Sequence, residues 1–183
     1  MKALVVDDES QVLEDLKFYI KMAAKEIGIF PVIIVLKRCL RPADGIAAVQ
    51  KEAPDILFLD YSLFDGNGAE IAKWIDANYQ RPITVATHTL RSPEEARRLF
   101  GGAKCVTHFL GRTPSERSAA IKAALAELAP HLPDVRTVTC HSCFRLVMAA
   151  QVAPEQYQCP KCNIIGKLRH LPGRDGGVTF LEI

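Results

Sequence analysis

The chain has 183 residues, of which 49% are hydrophobic and 24% are charged, and its formal net charge is +2. These values are close to those of average globular proteins, so they argue against a disordered chain and against a membrane protein. The length is sufficient for one α/β domain of ordinary size and one small additional unit.

Residues up to about 128 alternate between short apolar runs and amphipathic segments. The apolar runs predict buried strands, because strands covered on both faces read as continuous hydrophobic sequence. These predicted strands comprise residues 2–6, 32–36, 56–59, 82–87 and 106–110. The amphipathic segments predict helices that begin near Ser10, Asp44, Gly68, Ser92 and Ser115. The candidate N-caps are Asp44, Ser92, and either Thr113 or Ser115.

Five strands that alternate with helices predict a parallel sheet, because strand–helix–strand crossovers are right-handed and return the chain in the same direction. The predicted fold class is therefore α/β, a doubly wound five-stranded parallel sheet with helices on both faces. In such a sheet a binding site lies at the carboxyl ends of the strands.

Three carboxylates are expected at those strand ends. Asp7 and Asp8 follow the first predicted strand, and Asp60 follows the third, which should lie beside the first. Three close carboxylates repel one another unless a cation lies among them, and hard oxygen ligands suit Mg²⁺. Taken singly, Asp7 and Asp8 could cap the following helix, and Asp60 could be a turn residue.

The chain over residues 1–128 resembles the receiver domain of two-component response regulators. The resemblance rests on the segments LVVDDES, ILFLDYSLFDGNG, PITVATH and HFLGRTP. It implies a flavodoxin-like fold in which Asp60 accepts a phosphoryl group from a sensor histidine kinase or a phosphotransfer protein. It also implies a Mg²⁺ site made of Asp7, Asp8, Asp60 and the backbone carbonyl of Ser62.

The same resemblance gives roles to three further residues. Thr87 would bond a phosphoryl oxygen, and Phe109 would be the aromatic side chain whose rotamer follows that bond. Arg112 stands where the family has a lysine, and Thr113 precedes Pro114. Arginine keeps the positive charge but presents a planar fork, so the rate of phosphorylation and its lifetime are expected to differ from the family.

Four cysteines near the end of the chain have the spacing of a metal site. Cys140 and Cys143 form one CxxC pair, and Cys159 and Cys162 form another. Four thiolates give the closed tetrahedral shell of structural zinc, and a redox or disulfide role is the alternative. Iron, as in rubredoxin, is less favoured, since nothing else in the sequence points to electron transfer.

Residues 136–183 resemble a small β-rich zinc ribbon, which is too short to fold on its core alone and would depend on the metal. Residues 129–135, which include Pro130 and Pro133, are predicted to be a linker. Cys39 and Cys105 have no CxxC partner and are predicted to be buried thiols.

The output of the cysteine-containing tail is expected to be an interaction with a downstream protein. Residues 136–183 carry six Lys/Arg and three Asp/Glu, and the basic residues are too dispersed to predict a nucleic-acid patch. Nucleic-acid binding through the ribbon remains one alternative. A receiver that is not phosphorylated and acts as a scaffold is the other.

Enzyme activity is not predicted. A phosphatase of the haloacid-dehalogenase type requires a second aspartate two residues after the nucleophile, and this chain has Ser62 there. A nucleotide-binding fold requires a glycine-rich loop after the first strand, and VVDDES has none.

No signal peptide or membrane segment is predicted, because acids interrupt the first apolar run and no apolar stretch approaches the ~20 residues of a spanning helix. We therefore expect a cytoplasmic location, without membrane contact. Cysteines there remain thiols or bind metal ions.

Overall fold

The computed structural model describes residues 1–29, 32–79, 84–88, 92–111, 113–132, 135–140, 142–143, 145–153, 155–171 and 178–182. It divides into two compact units, Met1–Pro130 and His131–Ile183. Among the described residues, no helix combines the length and the hydrophobicity needed to cross a membrane.

The first unit contains a five-stranded sheet in the order β2-β1-β3-β6-β7, and all neighbouring strands are parallel. Its strands are β1 (Lys2–Asp7), β2 (Ile33–Arg38), β3 (Ile56–Asp60), β6 (Thr84–His88) and β7 (Val106–Phe109). A small antiparallel hairpin of β4 (Ser62–Leu63) and β5 (Gly66–Asn67) follows β3. The order confirms the predicted doubly wound fold and places its switch point between β1 and β3.

Helices cover both faces of this sheet. They are α1 (Ser10–Glu26), α2 (Pro42–Glu52), α3 (Gly68–Asn78), α4 (Pro93–Leu99) and α5 (Pro114–Leu128). Helices α1 and α5 contact each other on one face, where Lys122 pairs with Glu26, and α2 and α3 contact each other on the other. Because side chains alternate along a strand, Leu4 and Val6 reach the α2–α3 side, while Ala3 and Val5 point to the opposite face.

Two helix starts confirm the predicted caps and one corrects them. The Ser92 hydroxyl accepts a hydrogen bond from the Glu95 N–H group, and Thr113 forms a capping box with Glu116. Asp44 was wrong as an N-cap, since α2 begins two residues earlier, at Pro42. The proline ring presets the backbone angle of a first helical residue, so Asp44 lies inside the first turn.

Gly68 lets α3 approach the end of β3. Its N–H donates to the Tyr61 carbonyl over 2.8 Å, and a β-carbon at this position would collide with the Asp60 backbone oxygen. We expect Gly68→Ala to lower the free energy of unfolding by about 1–3 kcal/mol, the usual cost of overpacking. Urea denaturation of the full chain measures this, with exposed Lys73→Ala as the near-neutral control. Equal stability of both variants would contradict the tight approach.

The second unit is a closed five-stranded barrel in the order β10-β11-β12-β8-β9. Its strands are β8 (Val135–Cys140), β9 (Leu146–Ala153), β10 (Gln156–Gln158), β11 (Ile165–Leu171) and β12 (Val178–Glu182). Consecutive strands are antiparallel, so an odd number of strands brings β12 parallel to β8 at the closure. A short 3-10 helix, Ala129–His131, lies in the segment predicted to be a linker.

Candidate functional site

The carboxyl edge of the sheet in the first unit brings three acids together. Asp7 ends β1 and Asp60 ends β3, while Asp8 begins the β1–α1 connection. One carboxylate oxygen from each lies within 4.8 Å of the others. Asp7 is only 2% exposed, whereas Asp8 and Asp60 are half-buried. The three carboxylates therefore form an acidic crevice at the switch point of the sheet.

Backbone N–H groups favour the ionised forms of two of these carboxylates. The Glu9 N–H donates to Asp7 Oδ1 over 2.8 Å. The backbone N–H groups of Tyr61 and Ser62 act to lower the pKa of Asp60. Helix α1 shows no side-chain cap bond from Glu9, its N-cap residue.

Burial and mutual repulsion disfavour the ionised forms of Asp7 and Asp60. Burial, followed by the charge of Asp7, raises the pKa of Asp60 to about 7. Burial raises the pKa of Asp7 to about 6, although its bond from Glu9 acts in the opposite direction. A divalent cation would remove this repulsion, and three hard oxygen donors match the ligands that Mg²⁺ prefers. The residues therefore fit such an ion.

The structure describes only some of the other residues predicted for this site. Ser62 lies in β4, two residues after Asp60. The backbone of Thr87 pairs with Leu59 and Phe109, but its side chain lies outside the described residues, as does all of Arg112. Phe109 is half-buried at the end of β7.

The sequence reasoning missed two arginines near these residues. The guanidinium of Arg97, in α4, lies over the Phe109 ring, 5.1 Å from its centroid. Arg38, the last residue of β2, donates from Nε to the backbone oxygen of Asp8 over 3.0 Å. Both contacts arise from tertiary packing between separate elements, so no local sequence pattern could have indicated them.

The second unit contains the four-cysteine cluster. The sulfur atoms of Cys140, Cys143, Cys159 and Cys162 all lie within 4.8 Å of one another. Two repeated turns place them: the Cys140 N–H donates to the Arg145 carbonyl, and the Cys159 N–H donates to the Ile164 carbonyl, each over 2.9 Å. The two CxxC pairs are therefore held by the same backbone bond, five residues apart in each case.

The sulfur spacings match a tetrahedral metal site. Metal–sulfur bonds of about 2.3 Å, as for zinc, give sulfur–sulfur separations of about 3.8 Å. The structure has 3.6 Å between Cys140 and Cys162 and 3.8 Å between Cys143 and Cys159. A disulfide has sulfur atoms about 2.05 Å apart, so these pairs are thiols and the cluster could hold a metal ion.

The environment of Cys159 suits a thiolate. Although burial acts in the opposite direction, the N–H groups of Cys162 and Lys161 lower the pKa of its thiol to about 7. The Lys161 N–H donates to the sulfur over 3.4 Å. Such bonds stabilise the deprotonated sulfur that a metal ion requires.

The two remaining cysteines lie in the first unit, away from the cluster. Cys39 is 3% exposed and Cys105 is 9% exposed, which confirms that both are buried. Burial raises the pKa of Cys39 to about 11 and that of Cys105 to about 12. Both are therefore uncharged, unreactive thiols near neutral pH.

Comparisons with known proteins find sequence relatives and solved structures that are similar to this chain. The chain is 40% identical over 85 residues to the sensory transduction protein LytT of Bacillus anthracis, which covers 46% of this chain and 32% of that protein. It is 30% identical over 87 residues to the transcriptional regulatory protein BtsR of Shigella flexneri, covering 48% and 34%. A response regulator receiver domain protein from Clostridium thermocellum shares the fold, with a TM-score of 0.54 at 18% identity. The first unit has the fold of a response-regulator receiver domain, and the chain is similar in sequence to sensory and regulatory proteins.

The matches cover only part of this chain and only part of the curated relatives. The Clostridium thermocellum structure covers 72% of this chain and is itself covered to 98%. The chain spans about a third of the length of the curated relatives it matches. No protein-family model matches the chain.

Proposed function

We propose that the chain is a two-component response regulator whose receiver domain accepts a phosphoryl group on Asp60. The donor would be a phosphohistidine of a sensor kinase or of a phosphotransfer protein. The observation that carries this proposal is the convergence of Asp7, Asp8 and Asp60 at the switch point of a receiver fold. The sequence similarity to sensory and regulatory proteins supports it.

Asp60 is the nucleophile in this proposal. One of its carboxylate oxygens forms a bond to phosphorus while the bond from phosphorus to the donor imidazole nitrogen breaks. The electron pair of that bond passes to the imidazole, which takes up a proton. The backbone N–H groups of Tyr61 and Ser62 favour the ionised carboxylate that makes this attack.

The metal ligands would be Asp7, Asp8, Asp60 and the backbone carbonyl of Ser62. Bound Mg²⁺ would supply positive charge against the phosphoryl oxygens and keep Asp60 ionised. Asp7 and Asp8 would supply the negative charge that holds the ion, since Asp7 is the last residue of β1 and Asp8 follows it directly. Without a cation, the raised pKa of Asp60 leaves a substantial fraction of this nucleophile protonated near neutral pH.

The side-chain rotamer of Phe109 is proposed to change when Asp60 is phosphorylated. Thr87 and Arg112 are proposed to contact the phosphoryl oxygens. The guanidinium of Arg97 over the Phe109 ring supports a link between this ring and α4. A change in the Phe109 rotamer would then alter the surface of α4, which a partner could read.

The second unit is proposed to be a zinc-stabilised module that binds a downstream protein. Four thiolates with tetrahedral spacing favour zinc over iron in a chain without other redox features. Val152 on β9 and Ile165 on β11 are each 48% exposed, which suits contact with a protein. Lys167 pairs with Glu155 at 3.6 Å, so part of the positive charge on the barrel is neutralised.

The decisive experiment is intact-mass measurement after incubation with Mg²⁺ and acetyl phosphate. We expect a phospho-adduct on the native chain, none on Asp60→Asn, and an unchanged adduct on Asp65→Asn. Asp65 is the matched control because it is an exposed acid in the same connection, five residues after Asp60. An adduct that persists on Asp60→Asn would overturn the assignment of the phosphoacceptor.

A further inference from the structure

The end of β2 contacts the end of β1 and the start of the β1–α1 connection, where the proposed metal ligands Asp7 and Asp8 lie. In the β1–β2 register Arg38 lies beside Asp7, and the next residue, Cys39, donates its N–H to the Asp7 carbonyl over 3.0 Å. The ladder between the two strands therefore continues to the edge of the acidic crevice. Beyond that edge the backbone of Asp8 leaves the sheet to enter α1.

Arg38 adds a hydrogen bond to the next residue along the chain, Asp8. Its Nε donates to the Asp8 carbonyl over 3.0 Å, although its side chain is exposed. Within the part of the chain that the structure describes, no carboxylate forms an ion pair with this guanidinium. Its polar contact is thus with the backbone of Asp8, and no acid competes for it there.

We propose that Arg38 is a positioning residue for the divalent-cation site formed by Asp7, Asp8 and Asp60. This inference rests on the proposed function, because it concerns the metal of that same site. A bond to the Asp8 carbonyl fixes the backbone from which the Asp8 carboxylate projects. Groups that orient metal ligands in this way commonly change metal affinity when they are removed.

Arg38 could act on a cation in two opposite ways. As a positioning residue it strengthens cation binding, because the ligand is already in place. As a positive charge near the crevice it weakens cation binding by repulsion. The guanidinium is exposed and its charge is screened by water and salt, so the positioning effect should dominate. The two effects predict opposite signs, which makes the proposal testable.

The test is a Mg²⁺ titration of the full chain, measured by isothermal titration calorimetry. It is made on the native protein, on Arg38→Met and on Arg41→Met. Methionine keeps an unbranched stem but removes both the donor and the charge. Arg41 is the matched control: it is exposed, lies three residues after Arg38, and pairs with Asp44 at 3.3 Å instead of with the crevice. We expect Arg38→Met to raise the Kd for Mg²⁺ about three- to tenfold, and Arg41→Met to leave it unchanged.

A second readout separates positioning from a general structural role. The melting temperature without added Mg²⁺ should be the same for Arg38→Met and the native chain. At low Mg²⁺, Arg38→Met should form the adduct from acetyl phosphate more slowly than the native chain. At saturating Mg²⁺ the two rates should be equal. A rate deficit that persists at saturation would overturn the proposal, because it would show an action outside metal binding.

The remaining outcomes distinguish this inference from the proposed function. An equal or lower Kd for Arg38→Met than for the native chain overturns the inference and leaves the proposed function intact. A native chain that binds no Mg²⁺ and forms no adduct overturns both. A larger Kd for Arg38→Met, with Arg41→Met unchanged, supports both.

Discussion

Removal of the metal ion proposed for the four-cysteine cluster is expected to unfold His131–Ile183 and to leave the first unit folded. The described core of this unit is small: its buried residues are Val138, Cys140, Ala149, Tyr157, Cys159 and Leu181. Two of these six are proposed metal ligands. A core of this size contributes little stability by itself, so metal binding is expected to supply most of the folding free energy.

Hydrogen exchange followed by mass spectrometry measures this effect along the chain. After chelation, the amides of β8 to β12 should exchange as in an unfolded chain, while those of β1 and β3 remain protected. Cys159→Ser should have the same effect without a chelator. Ser142→Ala is the control, because Ser142 is exposed within the first CxxC turn and is not a proposed ligand.

Elemental analysis of the same samples identifies the metal. We expect one zinc ion per native chain and a colourless protein, since zinc has a filled d shell and iron–thiolate sites are coloured. Protection of β8 to β12 that survives complete loss of metal would show that the barrel folds on its apolar core alone.

The acidic crevice could be predicted from the sequence because its residues end strands. Asp7 and Asp60 each stop an apolar run, and the strand order of a doubly wound sheet places those two runs side by side. The four-cysteine cluster was equally accessible, since the spacing of the two CxxC pairs determines that all four sulfurs can reach one ion. In both cases the information lies in local sequence plus one general rule of topology.

Features that depend on register or closure could not be predicted in this way. The second strand was expected to end at residue 36, but β2 continues to Arg38, and only the register with β1 brings Arg38 beside Asp7. The closure of the barrel depends on pairing between Leu181 and Cys140, which are far apart in sequence. Local hydrophobic patterns indicate strands but carry no information about such long-range partners.

Stabilisation of the receiver domain by Mg²⁺ is expected to be large near pH 8 and small near pH 5. The folded-state pKa values of Asp7 and Asp60, about 6 and about 7, lie above the ordinary value of 3.8. Between about pH 4 and pH 7 the folded state therefore binds more protons than the unfolded state. Stability of the metal-free domain should fall as the pH rises through this window.

Mg²⁺ reverses this loss because it takes the place of the protons. At roughly ten times its Kd near pH 8, an ion that binds only the folded state adds about 1.4 kcal/mol, which raises the melting temperature of a small domain by several degrees. Near pH 5 protons occupy the same carboxylates, so the added stability should nearly vanish. Thermal unfolding with and without added Mg²⁺, at each pH, measures the difference. Because the two samples have the same pH, the titration of histidines cancels.

Asp60→Asn should separate two effects of this carboxylate: it lowers the stability of the protein without Mg²⁺, and it contributes to Mg²⁺ binding. The amide keeps the size of the side chain but removes a buried charge that the neighbouring acids repel. The metal-free variant should therefore melt above the metal-free native chain near pH 8, while Mg²⁺ should stabilise it less. Asp65→Asn, an exposed acid in the same connection, should behave like the native chain in both respects. A Mg²⁺ effect that is equal at both pH values, or equal in Asp60→Asn, would mean that cations bind this protein elsewhere.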